Sequence, residues 1–589
     1  MASAILQSLI QSKSQRNRAT GVQFKVQNTW LNYTWAEVYE LVEQIAAGLI
    51  SHDVLPGQKI AIFSRSRAEW FFADLAILAV HGLTVPLDLQ STHEELRTIL
   101  RDTRPELIFV DDAVHARKIL QLKNTELKRV VLFQSQIEDP LAMSFEEILT
   151  VGRQRRRKYP QEIRNRIETI AETDFATQVY TPGTLGDPKS IILTHQQINS
   201  ALRALRETLH VSPSDKLLSL VPPAKILSRI EWWLALTAQC TLGFAENRDP
   251  LTRTLSELKP TLLFADAPLL EKLCHDLRAS LTGPVAPWLL SWSLYRGQST
   301  LRDQQRGRPL SPFQALETLV AQNLVIKQLH QRLGGKLRAL VCGGSSLPSS
   351  IVQFFFTTGV PVLEGYGLTE TAGLVTINTP HAFALGTLGK PLPGVELSLA
   401  EDGEILIRGP QVRNDSSSDG FFRTGDLGEW TASGYLQFRG RKSDIIHVMR
   451  SGLLAKISPE KIEDLFHEHP LIDYALVEGE SSVGLFALIT LHPDRLFKFA
   501  KALQLSYQDY TALVEFEAVQ THVMNVVRAI NAKLSPAEQI RAFRILPNTF
   551  SIESGELNSA MKLRRLFCRN KYRNWLEKLA FEAKMAPVK

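Results

Sequence analysis

Apolar residues recur at three- and four-residue spacing through TWAEVYELVEQIAAGLISHDV, residues 34–54, which predicts an amphipathic helix. KIAIFS, residues 59–64, follows Pro56-Gly57 as an unbroken apolar run and reads as a buried strand. AEWFFADLAILAVHG, residues 68–82, predicts a second helix that ends at a glycine. A strand in LTVPLDL, a helix in STHEELRTILRDT and a strand in ELIFVDD follow. This alternation predicts a parallel or mixed sheet covered by helices. It continues through KLLSLVPP and LRALVCGG, with long helical runs over 281–332.

From about Gly386 the texture changes to short strands between turn residues: VELSLA, GEILIRG and YLQFRGR, with a polar connecting loop at 414–419. After Arg441 it changes again. Ser458 and Pro459 predict the N-cap and first position of a helix. DYALVEG and LFALITL read as strands. The expected fold class is α/β. A large N-terminal domain, residues 1–440, has mixed α/β sheets plus a β region, and a small α+β C-terminal domain covers 441–589.

The 589 residues are too many for one compact core, so at least two domains are expected on length alone. An apolar fraction of 44% and a charged fraction of 22% suit a folded soluble chain. The net charge of +6 is small for this length, but it is unevenly placed. Arg153, Arg155, Arg156, Arg157 and Lys158 form one cluster, and Lys562, Arg564, Arg565, Arg569, Lys571 and Arg573 another. Such clusters suit anionic partners, including a membrane face. Neither lies in a known nucleic-acid-binding motif, so nucleic acid is not an expected partner. Four scattered cysteines exclude a zinc framework and suit a reducing compartment. The N-terminal residues lack a secretory apolar core, so the expected location is cytoplasmic, with peripheral membrane contact open.

The chemistry concentrates in VYTPGTLGDPKSIILTH, residues 179–195: strand, glycine-rich loop, lysine, strand. Gly183 and Gly186 let backbone N–H groups approach phosphate oxygens, Thr181 and Thr184 add hydroxyls, and Lys189 adds a charge. Taken alone, the segment reads equally as a hairpin turn. It resembles, however, the phosphate loop of the adenylate-forming, AMP-binding superfamily, and further segments resembling that family follow in its order. These are CGGSSLP (342–348), GYGLTET (365–371), FFRTGDLG (421–428), GRKSDIIHVMRSGLLAKISPEKIE (440–463) and ESGELNSAMKLRR (553–565).

The resemblance implies ATP and Mg²⁺ as cofactors and assigns roles residue by residue. Gly344 lies in the adenine-contacting turn. Tyr366, followed by Gly367, stacks on adenine. Thr369 holds the α-phosphate and Glu370 ligates Mg²⁺. Asp426 accepts the ribose hydroxyls, supported by Arg441. Lys562, with Thr369 and Lys189, serves the catalytic step. It also implies a mobile C-terminal domain that turns about a hinge, at Ser443 here with Lys442 beside it.

SGELNSAMKLRR and the stretch from KLLSLVPPAKILSR onward resemble the long-chain fatty acyl branch, including ligases directed to acyl carrier protein. The implied reaction is activation of a long-chain fatty acid as acyl-adenylate, then transfer to CoA or to the phosphopantetheine of acyl carrier protein. The chain departs from the pattern at Pro182, Leu185 and Ser190 in the loop. It departs again at Lys225 and Ser228, where His and Glu are usual; Arg229 is kept. The lost hydroxyls leave open a second reading, a catalytically impaired paralogue that binds nucleotide or acyl ligand as a sensor or interaction protein.

Overall fold

The computed structural model describes the chain except residues 1–2, 15–18, 182–187, 246–249, 281–291, 293–310, 312–325, 345–346, 414–418, 451–452, 559–560 and 586–589. The expected loops and helical runs at 182–187, 281–325 and 414–418 therefore lie largely outside the described residues.

Several helices start at side-chain caps. Thr34 and Glu37 form a reciprocal box ahead of helix Trp35–Ser51, and Thr92 and Glu95 do the same for His93–Thr103. Helix Ala68–Ala79 ends differently from the expectation. The left-handed position after it is taken by His81, at φ 67°, and not by Gly82. A Cβ on Gly82 would lie 3.1 Å from the Ile77 carbonyl, so this glycine serves close packing. At the other end of the chain Ser458 occupies the cap position and Pro459 the first helical one, but the Ser458 side chain makes no cap bond.

Two sheets dominate the first part of the chain. One has seven strands, parallel except where Phe175–Thr181 and Lys189–Thr194 pair antiparallel at its edge. The other has nine. Its parallel centre runs, in spatial order, Thr241–Phe244, Lys216–Ser219, Leu262–Ala265, Ala339–Gly343, Val362–Leu368. One hydrophobic cluster joins both sheets: Ile62 and Phe109 from the first, Leu217 and Phe264 from the second, with Trp70, Trp232 and Trp233 between. Removing this much apolar surface from water is the main force holding the sheets together.

A fully buried ion pair sits inside this core. Arg229 donates to Asp74 at 2.5 Å and to the Thr177 hydroxyl, with its guanidinium over the Trp233 ring. Losing one partner would strand the other charge in a dry site. The Ser228 hydroxyl turns inward to the Val221 carbonyl at 2.9 Å.

Strands Glu396–Leu399, Glu404–Arg408, Phe422–Trp430 and Leu436–Arg441 form the expected small antiparallel β region. Beyond it come a two-stranded ribbon, Ile446–Arg450 with Leu453–Ile457, and a three-stranded sheet, Ile472–Glu480, Gly484–Leu491 and Ile540–Ile545. The hydrophobic clusters of this last part contain no residue before Ile446, and those of the first part none after Leu436. Among the described residues no helix is long and apolar enough to cross a membrane.

Candidate active site

Adjacent parallel strands deliver the expected residues to one edge of the nine-stranded sheet. Ala265 is paired with Cys342, and Gly343 with Gly365, so Asp266, Gly344 and Tyr366 emerge side by side at the carboxyl ends of three neighbouring strands. Ligands of open α/β sheets bind at such ends. Gly344 turns the chain there with φ +86°. Gly367 has a packing reason to be glycine: a Cβ would meet the Gly373 carbonyl at 2.1 Å, where the antiparallel return strand Gly373–Ile377 crosses close. Thr369 and Glu370 lie in the short 3₁₀ turn Thr369–Thr371, both half-buried.

The small β region supplies Asp426 and Arg441, which face each other in register across neighbouring strands. Tyr366 donates its hydroxyl to Asp426 Oδ2 at 2.8 Å. Arg441 Nε stands 3.2 Å from Oδ1, without hydrogen-bond alignment, and Oδ1 has no donor among the described residues. Burial raises the Asp426 pKa, and Arg441 and Tyr366 counter it only in part. A buried carboxylate oxygen left open in this way is an acceptor for a ligand hydroxyl. Glu364, two residues before Tyr366, is a second such group. Its Oε2 is buried with no donor among the described residues, and burial pushes its pKa up to about 8.

Lys189, paired with Thr181 where the two edge strands meet, reaches across to Glu370 at 2.7 Å. This ion pair places the end of the phosphate-loop segment against the 3₁₀ turn. Glu370 offers a half-buried carboxylate to a cation. Mg²⁺ typically takes one or two protein carboxylates and completes its shell with water and phosphate oxygens, so the residues present fit it. The three-donor grouping found among the described residues, Asp111, Asp112 and His115, lies elsewhere, and Asp111 is engaged by Arg67 at 3.0 Å and Arg65 at 3.3 Å.

Lys562 comes from the far end of the chain. Its ammonium donates to the Gly344 carbonyl at 2.9 Å. The side chain keeps contact with water, but the cleft walls crowd the ammonium. Lost hydration, aided by Arg441 and Lys225 and opposed by Glu460 and Asp426, lowers its pKa. Lys225 is itself held by Asp266 at 2.7 Å, at the end of the neighbouring strand.

The structure thus brings together Lys189, Gly344, Tyr366, Gly367, Thr369, Glu370, Asp426, Arg441 and Lys562, with Thr181 at the strand end. Gly183, Thr184 and Gly186 lie outside the described residues. Lys442, beside the expected hinge at Ser443, is engaged by Asp402 at 2.6 Å and Glu404 at 3.0 Å on the small β region. Sequence reasoning missed Glu364, Glu460 and the Lys225–Asp266 pair. Glu364 carried a usable signal, a charged residue inside the buried run PVLEGYG. The Lys225–Asp266 pair joins residues far apart in the chain and had none.

Strand ends, a buried carboxylate oxygen without a donor among the described residues and a lysine from the far end of the chain thus meet on one face. The chain belongs to the AMP-binding enzyme family, whose model matches residues 11–414. It is 31% identical to the long-chain-fatty-acid–CoA ligase FadD15 of Mycobacterium bovis, over 94% of this chain and 93% of that one. It is 25% identical to human long-chain-fatty-acid–CoA ligase 1, over 93% and 82% respectively. Among solved structures, the anthranilate CoA ligase AuaEII with anthranoyl-AMP matches with a TM-score of 0.72 at 17% identity, covering 98% of both chains, and so supports the fold.

Proposed function

We propose that this chain is an ATP- and Mg²⁺-dependent long-chain fatty acid–CoA ligase. The observation that carries the reading is the reach of Lys562 across 218 positions of sequence to the Gly344 carbonyl, beside Tyr366 and Asp426. The relatives named for the same activity over nearly the whole chain support it.

In the first half-reaction a carboxylate oxygen attacks the α-phosphorus of ATP. The new O–P bond forms as pyrophosphate leaves, giving acyl-adenylate. Two anions must meet, so the site has to neutralise charge and hold them in line. Lys562 bridges the carboxylate and α-phosphate, Thr369 holds the α-phosphate, and Lys189 meets the outer phosphates once ATP draws it off Glu370. Asp426 accepts the ribose hydroxyls through its open Oδ1, while Tyr366 covers the adenine and Gly344 forms the turn beneath it. Gly183, Thr184 and Gly186, with Thr181, belong to the loop over the phosphates. Mg²⁺ bound through Glu370 would supply further charge neutralisation on the phosphates.

In the second half-reaction a thiol attacks the acyl carbon and AMP leaves. We assign the thiol to CoA; acyl carrier protein is the competing acceptor. We put the joint between the domains at residues 440/441; the gap between the hydrophobic clusters that end at Leu436 and begin at Ile446 supports this. The basic segment with exposed Leu566 and Phe567, at 42% and 36%, suits contact with the membrane face from which a long-chain acid partitions.

The test is product analysis. Purified protein with ATP, Mg²⁺, palmitate and CoA should yield palmitoyl-CoA and AMP, and Lys562→Ala should lower the rate at least about 100-fold. Equal rates for the two proteins would exclude the lysine's role. Product with acyl carrier protein but none with CoA would reassign the acceptor.

A further inference from the structure

The hairpin that carries Lys562 is closed at its base by a group that touches no substrate in the reaction above. Glu556 is 1% exposed. Its carboxylate accepts from Lys571 Nζ at 2.6 Å, from Tyr572 OH at 2.7 Å and from the Ser554 hydroxyl. Its main-chain carbonyl accepts the Arg564 N–H at 2.7 Å, next to the bridge between Leu557 and Leu563. One residue therefore ties the base of the hairpin both to its returning strand and to helix Arg565–Lys571, which starts immediately after it.

Beyond this base, Asn558, Met561 and Lys562 are held in turn. Asn558 N–H donates to the Lys562 carbonyl at 3.0 Å, and Asn558 Oδ1 accepts the Lys562 N–H at 3.0 Å. Tyr474 donates to the carbonyl of Met561, which sits at φ 58°. A lysine has a long flexible stem, so where its ammonium arrives depends on where its backbone is held. Burial alone would raise the Glu556 pKa; the donors around it bring it down to about 2, so it stays ionised over any working pH.

We propose that Glu556 is a positioning residue for Lys562. Its carboxylate locks the hairpin to the following helix, so that the lysine is delivered at a fixed place and the adenylation step depends on that lock while thiol transfer does not. This rests on the reading of Lys562 as the adenylation lysine.

The test separates the two half-reactions. Palmitate-dependent exchange of labelled pyrophosphate into ATP reads adenylation, and conversion of synthetic palmitoyl-adenylate by CoA reads transfer. Glu556→Gln keeps the shape but loses the charge, and Tyr572→Phe removes a single donor. Glu556→Gln should cut the exchange kcat by about 10- to 100-fold, with the KM for ATP and the transfer rate each within about twofold. Tyr572→Phe should shift exchange the same way by about threefold. Equal loss in both half-reactions would show a merely structural role and overturn the proposal, as would unchanged exchange. Should Glu556→Gln fail to fold, Tyr572→Phe decides by the same criterion. Lys562→Ala is run alongside. If it retains exchange, the adenylation reading itself has failed and the proposal falls with it; if it loses exchange while the other two variants do not, the proposal alone falls.

Discussion

Asp426 and Glu556 are both buried carboxylates, 2% and 1% exposed, in opposite condition. Asp426 has one oxygen bonded to Tyr366 and one open, and burial raises its pKa. Glu556 is surrounded by donors that bring its pKa down to about 2. The two regions that carry them differ in the same way. The face built by the strand ends and the small β region leaves Asp426 Oδ1 and Glu364 Oε2 without donors among the described residues, while the Glu556 carboxylate at the base of the Lys562 hairpin is filled by donors from its own segment and the helix that follows. A surface meant to bind keeps hydrogen-bond capacity unspent until the ligand arrives, and tolerates the desolvation meanwhile. An arm meant to deliver one atom to one place is over-determined instead.

The strongest way to break this contrast is at the open oxygen. Asp426→Asn should lower kcat/KM for ATP about 100-fold, chiefly through KM, while conversion of supplied acyl-adenylate changes less because the acyl group also anchors it. ATP titrations of both half-reactions check this. An unchanged KM for ATP would mean that Oδ1 is not a ligand site.

A smaller effect follows at Glu364. Its folded pKa of about 8 exceeds the ordinary glutamate value, so the folded chain keeps a proton that the unfolded chain releases. Stability therefore falls as pH rises from about 4.5 toward 8. Glu364→Gln removes that slope, and its melting temperature should exceed the wild-type value by about 5 °C at pH 8 and match it near pH 4. A pH-independent difference would contradict the account of a desolvated, unpartnered acid.

The smallest effect lies between the two regions. His467 Nε2 stands 3.7 Å from Glu271 Oε2 on the large domain, and chiefly this contact raises the His467 pKa above its ordinary value. The stabilisation is fully present below about pH 6.5 and is lost as pH rises through the folded pKa. Both side chains are about a third or more exposed, so solvent screening keeps the contact under about 1 kcal/mol. Glu271→Gln should lower the melting temperature by about 1 °C or less at pH 6 and leave it unchanged at pH 9; equal loss at both would rule out the charged contact.

Much of this architecture was legible in the residues. The apolar spacing over 34–54 located helix Trp35–Ser51, and the segment 91–103 located His93–Thr103; the Thr–Glu boxes that start both helices are local chemistry that the structure adds. The end of helix Ala68–Ala79 was misread because Gly82 is glycine for packing against Ile77, a tertiary reason. Helix Ala4–Ser14 escaped notice; its buried Ile5, Leu6 and Leu9 find their partners on helices Trp35–Ser51 and Ile226–Ala238, outside any local window. In the site, the residues singled out in ordered motifs and described by the structure lie close together. Lys225–Asp266 and Glu271–His467 were not legible in the sequence, since a pairing between distant segments leaves no periodic or compositional trace; nor was the lock at Glu556, whose Lys571 and Tyr572 donors lie 15 and 16 residues on, beyond one helical or strand repeat.

The central claim is that this face and this lysine activate a fatty acid on ATP. Its most direct measurement is exchange of labelled pyrophosphate into ATP with Mg²⁺ and no thiol present. The account predicts exchange that requires palmitate or a similar long-chain acid and is abolished by Lys562→Ala. Folded wild-type protein that shows no exchange with any long-chain acid tried, or exchange that Lys562→Ala retains in full, would contradict it.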